Sequence, residues 1–136
     1  DGRAHFVVTP IPATPLVAEG RPHLRLATVR SEGQFNTMIY EETDSYRYGA
    51  KRDAVMLNRE DMATFGVSAG DRITLRSVNG TMEAEVMPFD LPRGSALAYY
   101  PEANVLAGTA VDPRSRTPAF KSIPITIETA IAAAAE

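Results

Sequence analysis

The chain has 136 residues and a formal net charge of -3, which fits a single domain large enough to bury a hydrophobic core without disulfides. Hydrophobic residues make up 44% and charged residues 23%, which is ordinary globular usage and argues against disorder, a membrane span and sequence-independent nucleic-acid binding. There is no cysteine, so disulfides, iron–sulfur ligation and a thiol nucleophile are excluded within these residues.

Residues 1–23 are predicted to form an extended N-terminal arm. Four prolines between Pro10 and Pro22 fix φ and remove backbone donors, which prevents a helix. The sequence starts at Asp1 without a charged-then-apolar signal pattern. We therefore expect a segment of a longer protein, located in the cytoplasm.

The middle of the chain predicts short strands around one helix. Apolar or alternating runs predict strands at 24–30, 55–57, 72–77, 81–87, 95–99 and 122–128. Asn58 as N-cap, carboxylates in the first turn and Gly66 as C-terminal cap predict a helix over 59–65. Asn79-Gly80 is a dipeptide that favours positive φ in tight hairpins. Six short strands and one helix suggest a closed barrel.

The remaining segments are predicted loops without catalytic patterns. Residues 40–52 lack periodicity and predict a long surface loop or a short helical turn. Residues 129–136 are mostly alanine and predict a flexible tail. His5 and His23 are the two histidines, and neither adjoins a nucleophile pattern. We therefore expect no catalytic residue and no metal ligand in this chain.

Two polar loops carry side chains suited to ligand binding. The segment 101–106 follows a predicted strand and contains Asn104, whose amide can donate and accept hydrogen bonds at once. The segment 112–121 contains three cations and hydroxyl groups just before the last strand, a composition that suits a pyrophosphate. Taken singly, each loop is also typical of ordinary protein surface.

The whole pattern resembles a known family. The segments that carry the resemblance, in chain order, are 1–6, 28–37, 56–71, 101–104 and 117–121. They are similar to the molybdopterin-dinucleotide-binding domain that ends the catalytic subunits of the dimethyl sulfoxide reductase superfamily. The match covers nearly the entire chain, and residues 33–37 resemble most closely the formate-dehydrogenase-like branch.

The resemblance implies a mainly β fold, a six-stranded double-psi β-barrel with one or two short helices, over residues 24–128. It also implies that loops at one end of the barrel cover molybdopterin guanine dinucleotide, whose phosphates need cations and whose ring edges need amide partners. The implied cofactor-binding residues are Arg30, Glu32, Gly33, Gln34, Phe35, Asn36, Thr37, Tyr100, Asn104, Arg116, Pro118 and Lys121. Arg47 is a further candidate on the same grounds.

The function implied by the resemblance is that of a C-terminal domain in a molybdenum or tungsten oxidoreductase. The metal and any iron–sulfur cluster would belong to the other domains, so the isolated domain is expected to be inactive. Alternatives are a separate small subunit of such an enzyme, a pyruvoyl-type decarboxylase cleaved at Gly94-Ser95, and a substrate-adaptor barrel. The expected partners are the pterin dinucleotide and the remaining domains, without nucleic acid or membrane insertion.

Overall fold

The computed structural model describes residues 1–6, 8, 23–31, 34, 47 and 49–129. Three predicted segments therefore lie wholly or mostly outside the described residues. They are the proline-rich part of the N-terminal arm, the loop 40–52 up to residue 46, and the tail beyond residue 129.

Six strands close into a barrel. They are β1 (Leu24–Val29), β2 (Ala54–Leu57), β3 (Arg72–Arg76), β4 (Thr81–Pro88), β5 (Ser95–Tyr99) and β6 (Ile123–Glu128). Their order around the barrel is β1-β5-β2-β4-β3-β6. The pairs β1–β5 and β2–β4 are parallel, and the other four pairs are antiparallel. Each strand boundary agrees with its prediction to within one residue.

Alternate side chains along the strands point into the barrel and form its core. In β1 every second residue is buried, and Leu26 is fully buried. Ile123 and Ile125 of β6 are buried and Ile127 packs against the same core, which confirms that these three isoleucines share one face. Because successive strand residues point to opposite faces, this alternation places one face of β1 and of β6 in the barrel interior.

One α-helix lies between β2 and β3. The helix α1 spans Arg59–Phe65, as predicted, and begins where the Asn58 side chain accepts a hydrogen bond from Glu60 N at 2.7 Å. It ends at Gly66, whose φ of 66° lies in the left-handed region that favours glycine. The buried Asp61 carboxylate accepts from Gly94 N at 2.7 Å and so joins α1 to the β4–β5 turn.

A second short helix lies in the segment 101–106, where the sequence predicted a polar loop. Residues Glu102–Leu106 form a 3₁₀ helix that contacts β4 and β5. Ala103 and Leu106 are fully buried in the core, and this apolar contact favours a helical turn over an exposed loop. No helix in the described part of the chain is long and apolar enough to cross a bilayer.

The positive-φ turn predicted at Asn79-Gly80 is wrong, although the hairpin itself is present. Neither residue has a positive φ. A longer turn, residues 77–80, joins β3 to β4 and is closed by Ser77 N donating to Gly80 O at 2.9 Å. Glycine is needed at position 80 for space, because an added Cβ would lie 2.7 Å from the carbonyl oxygen of Val105.

Three strand ends meet at one end of the barrel. Because β1 and β5 are parallel, their carboxyl ends at Val29 and Tyr99 lie side by side. The antiparallel β6 begins at this same end. Tyr100 N donates to Val29 O at 2.7 Å, and Thr28 N donates to Phe120 O at 2.9 Å. The polar loops after β1, after β5 and before β6 are therefore brought together.

Candidate functional site

A recess of about 220 Å³ opens where these three loops meet. Its lining residues are Thr28, Val29, Arg30, Tyr100, Asn104, Phe120 and Lys121. Four of them, the arginine, the tyrosine, the asparagine and the lysine, are sites predicted from the sequence. None of the described lining residues is acidic. Within the described ranges, no three His, Asp or Glu residues form a group that could hold a metal ion.

Two cations are held at the recess by contacts within the protein. The guanidinium carbon of Arg30 lies 5.4 Å from the centroid of the Tyr100 ring, a distance at which the ring face attracts the cation. The Nζ atom of Lys121 donates to the carbonyl oxygen of Thr28, across 93 sequence positions. An ammonium group has three donors, so Lys121 keeps further donors for an anionic ligand.

Asn104 presents an unsatisfied polar atom at the same recess. Its Oδ1 is buried and has no hydrogen-bond partner among the described residues. Leaving a buried acceptor unsatisfied costs about 1–3 kcal/mol. Such an exception in a folded protein calls for an explanation, and a ligand N–H group at the recess would supply one.

The 3₁₀ helix fixes the backbone of Asn104 relative to β5. Asn104 N donates to Pro101 O at 2.9 Å, and Ala107 N donates to Asn104 O at 3.0 Å. The peptide bond between Tyr100 and Pro101 is cis. At the beginning of the helix, the Glu102 carboxylate forms an ion pair with Arg52.

A smaller neighbouring cavity of about 10 Å³ shares Tyr100 with the recess. Its lining residues are Ser31, Gln34, Arg47, Arg52, Tyr99, Tyr100, Pro101 and Glu102. Gln34 Nε2 donates to Tyr100 O at 3.3 Å, which places the predicted residue Gln34 beside the recess. The buried Arg47 guanidinium lies 5.9 Å from the Tyr99 ring centroid. The cavity has the size of one water molecule.

Two predicted residues, Arg116 and Pro118, do not line the recess. Their loop closes on itself, because Val111 and Pro118 form a β-bridge and Arg116 N donates to Asp112 O at 2.8 Å. Arg116 is exposed and has a φ of 58°. The loop therefore brings Lys121 to the recess and leaves Arg116 at its outer turn. The predicted residues Glu32, Gly33, Phe35, Asn36 and Thr37 lie outside the described residues.

Hydrogen bonds to Asp112 hold that outer turn together. Its carboxylate accepts from Ser115 N at 2.7 Å and from Arg114 N at 3.0 Å. These donors, Ser115 first, lower the pKa of the Asp112 carboxyl. Because the folded-state pKa is lowered, these hydrogen bonds stabilise the folded chain at pH values above the usual carboxyl range. Their contribution is lost as the pH falls through the folded-state pKa of Asp112.

Several residues around the site were not identified as candidates from the sequence. Thr28 and Phe120 line the recess, and Arg52 and Glu102 form an ion pair at the beginning of the 3₁₀ helix. Thr28 lies within a strand, where only the pairing of β1 with its neighbours reveals that it faces the recess. The ion pair joins residues 50 positions apart, and local spacing carries no signal for such a contact.

Comparison with known sequences gives one family and several relatives. Residues 24–124 match the family described as "Molydopterin dinucleotide binding domain". An uncharacterized oxidoreductase of Mycobacterium tuberculosis H37Rv is 41% identical over 142 residues, which cover 93% of this chain and 18% of the relative. Protein YdeP of Escherichia coli K12 is 34% identical over 116 residues, covering 77% of this chain and 15% of the relative. The chain thus spans less than a fifth of these relatives.

Solved structures identify the barrel type. Acetylene hydratase from Pelobacter acetylenicus superposes with a TM-score of 0.64 at 14% identity, over 78% of this chain and 18% of that protein. A rationally designed double-psi β-barrel protein superposes with a TM-score of 0.50 at 17% identity, over 79% of this chain and 94% of the design. The fold is a double-psi β-barrel, as the resemblance implied.

Proposed function

The chain belongs to the Molydopterin dinucleotide binding domain family, and we propose that it binds molybdopterin guanine dinucleotide at the recess lined by Arg30, Asn104 and Lys121. We propose further that it is the C-terminal domain of a molybdenum or tungsten oxidoreductase of the formate-dehydrogenase-like branch, here termed the parent protein. A relative named as an oxidoreductase, of which the chain covers 18%, supports the proposal that the parent protein is an oxidoreductase.

The observation that carries the proposal is the buried Oδ1 of Asn104, which has no hydrogen-bond partner among the described residues and lies beside two cations. The cofactor joins anionic phosphates to rings with N–H donors on their edges. Arg30 and Lys121 suit the phosphates because charge-assisted hydrogen bonds to anions are the strong ones. The Asn104 amide suits a ring edge because it can accept and donate together. The residues at the recess therefore fit both halves of the ligand.

The size of the recess indicates a shared binding site. Its volume of about 220 Å³ lies below the ~300–1,000 Å³ typical of complete small-molecule sites. We therefore expect the remaining domains of the parent protein to contact the rest of the cofactor, and the isolated chain to bind it weakly. The bound cofactor supplies the redox centre, while this chain binds and orients it and has no turnover alone.

The proposal is tested by Asn104→Leu, which keeps the approximate volume and removes both polar atoms. The parent protein should lose cofactor affinity about fivefold to tenfold, as expected for one or two neutral hydrogen bonds. The same change should raise the free energy of unfolding of the cofactor-free chain by about 1 kcal/mol, because an unsatisfied buried acceptor is removed. Bound pterin per protein and urea denaturation measure the two effects.

Thr109→Leu is the control, since Thr109 is exposed and lies outside the recess. It adds a similar apolar side chain and should leave cofactor affinity unchanged. If a stably folded Asn104→Leu protein binds the cofactor with wild-type affinity, Asn104 is not a cofactor-binding residue.

A further inference from the structure

The β3–β4 turn, residues 77–80, is in tight contact with the 3₁₀ helix that carries Asn104. An added Cβ on Gly80 would lie 2.7 Å from Val105 O and 3.2 Å from Val105 Cγ2. The first distance is to a backbone atom, which cannot move aside without displacing the helix itself. Val105 directly follows Asn104, so a shift of this carbonyl group would also move the asparagine.

Hydrogen bonds join the same two elements. Ser77 Oγ donates to the carbonyl oxygen of Leu106 at 2.8 Å, and Asn79 Nδ2 donates to that oxygen at 3.3 Å. The last carbonyls of a helix have no partner within the helix, so the turn satisfies one of them. Ser77 Oγ also accepts from Asn79 N at 3.0 Å and from Gly80 N at 3.2 Å, which fixes the hydroxyl orientation.

The two ends of the helix are therefore anchored by different parts of the barrel. The Arg52–Glu102 ion pair lies at its beginning, and the Ser77 contact with Leu106 lies at its end. Asn104 lies between the two anchors. A 3₁₀ helix this short has weak internal hydrogen bonds, so its position depends on these external contacts.

We propose that Ser77 and Gly80 are positioning residues, which act on cofactor binding through the 3₁₀ helix and Asn104. Neither residue lines the recess, so a direct contact with ligand in the recess does not explain an effect on binding there. The hydroxyl of Ser77 holds the end of the helix. The missing side chain of Gly80 allows the turn and the helix to approach each other. This inference rests on the proposed function of the recess.

The test measures the rate constant for release of molybdopterin guanine dinucleotide from the purified parent protein. Ser77→Ala should raise it about fivefold, the effect expected for one neutral hydrogen bond, and Ser77→Thr should restore slow release because it keeps the hydroxyl. Gly80→Ala should raise it about fivefold to tenfold, up to the effect of losing the Asn104 contact, because displacing a binding group by about an ångström weakens its contacts with the ligand.

The decisive comparison places Ser77→Ala in an Asn104→Ala background. If Ser77 acts through Asn104, its effect should disappear once the amide is gone, since residues acting as a unit are not additive. Should the two single effects instead add in full, the positioning inference is overturned while the binding site stands. Unchanged release from Asn104→Ala alone would contradict the proposed contact itself, so the two failures are distinct.

Gly94→Ala is the matched control for Gly80→Ala. Gly94 has a φ of 76°, precedes β5 and lies at the opposite end of the barrel from the recess. The substitution introduces backbone strain but should leave the release rate unchanged. If Gly80→Ala does not fold, Ser77→Ala decides the question. Faster release in Gly94→Ala equal to that in Gly80→Ala would show a general loss of stability and overturn the inference.

Discussion

The parent protein carrying Lys121→Met should lose about tenfold to 100-fold in affinity for the pterin dinucleotide, as expected for a charge-assisted hydrogen bond. The Lys121 ammonium is held against Thr28 O, in a recess whose described lining residues include no carboxylate. Methionine keeps much of the apolar stem and removes the charge. Pterin and metal bound per protein, measured over a series of cofactor concentrations, report the change.

Lys51→Met is the matched control, because Lys51 and Lys121 are the only lysines in the chain. Lys51 is exposed, forms an ion pair with Glu85 at 2.7 Å and does not line the recess. Its replacement should leave cofactor occupancy at the wild-type level. Equal cofactor occupancy in the two variants would show that Lys121 does not contribute to cofactor binding.

Leu26→Ala should lower the free energy of unfolding of the chain by about 3–5 kcal/mol, the cost of a cavity at a well-packed leucine. Leu26 has no exposed surface and pairs with Ala96 of β5 on one side and Ile123 of β6 on the other. β1 thus has little freedom to collapse into the space left. Because a typical domain has only ~5–15 kcal/mol of stability, this one change should remove much of it.

Urea denaturation of the chain measures this loss, and Val78→Ala is its control. Val78 is 99% exposed on the β3–β4 turn, so its truncation should change the free energy of unfolding by less than ~0.5 kcal/mol. A loss below ~1 kcal/mol for Leu26→Ala would show that the barrel interior is not close-packed around β1.

Elements governed by local signals could be predicted from the sequence. The sequence predicts both ends of the helix α1 correctly, because the residues that cap it, Asn58 and Gly66, directly adjoin the helix in the sequence. The strands followed from alternation or, for β2, from a short apolar run, and both signals are local to the strand itself. Neither signal specifies which strands pair, and the double-psi topology came from family resemblance.

Features governed by distant contacts could not be read in the same way. Asn79-Gly80 is typical of a tight hairpin turn. In the structure, however, position 80 requires glycine because a side chain there would collide with Val105 O, which belongs to a helix 25 positions later. Arg116 and Lys121 belong to one polar loop, and only the closure of that loop separates their positions. Asn104 was identified as a versatile amide, but its unsatisfied oxygen is visible only once the barrel is assembled.

The most direct test of the proposed recess is a crystal structure of the parent protein with its cofactor bound. We expect the Oδ1 of Asn104 to accept a hydrogen bond from a ring N–H of the dinucleotide, and the Nζ of Lys121 to lie within ~2.7–2.9 Å of a phosphate oxygen. A dinucleotide bound against another face of the barrel, with water alone contacting Asn104 and Lys121, would contradict the proposed site.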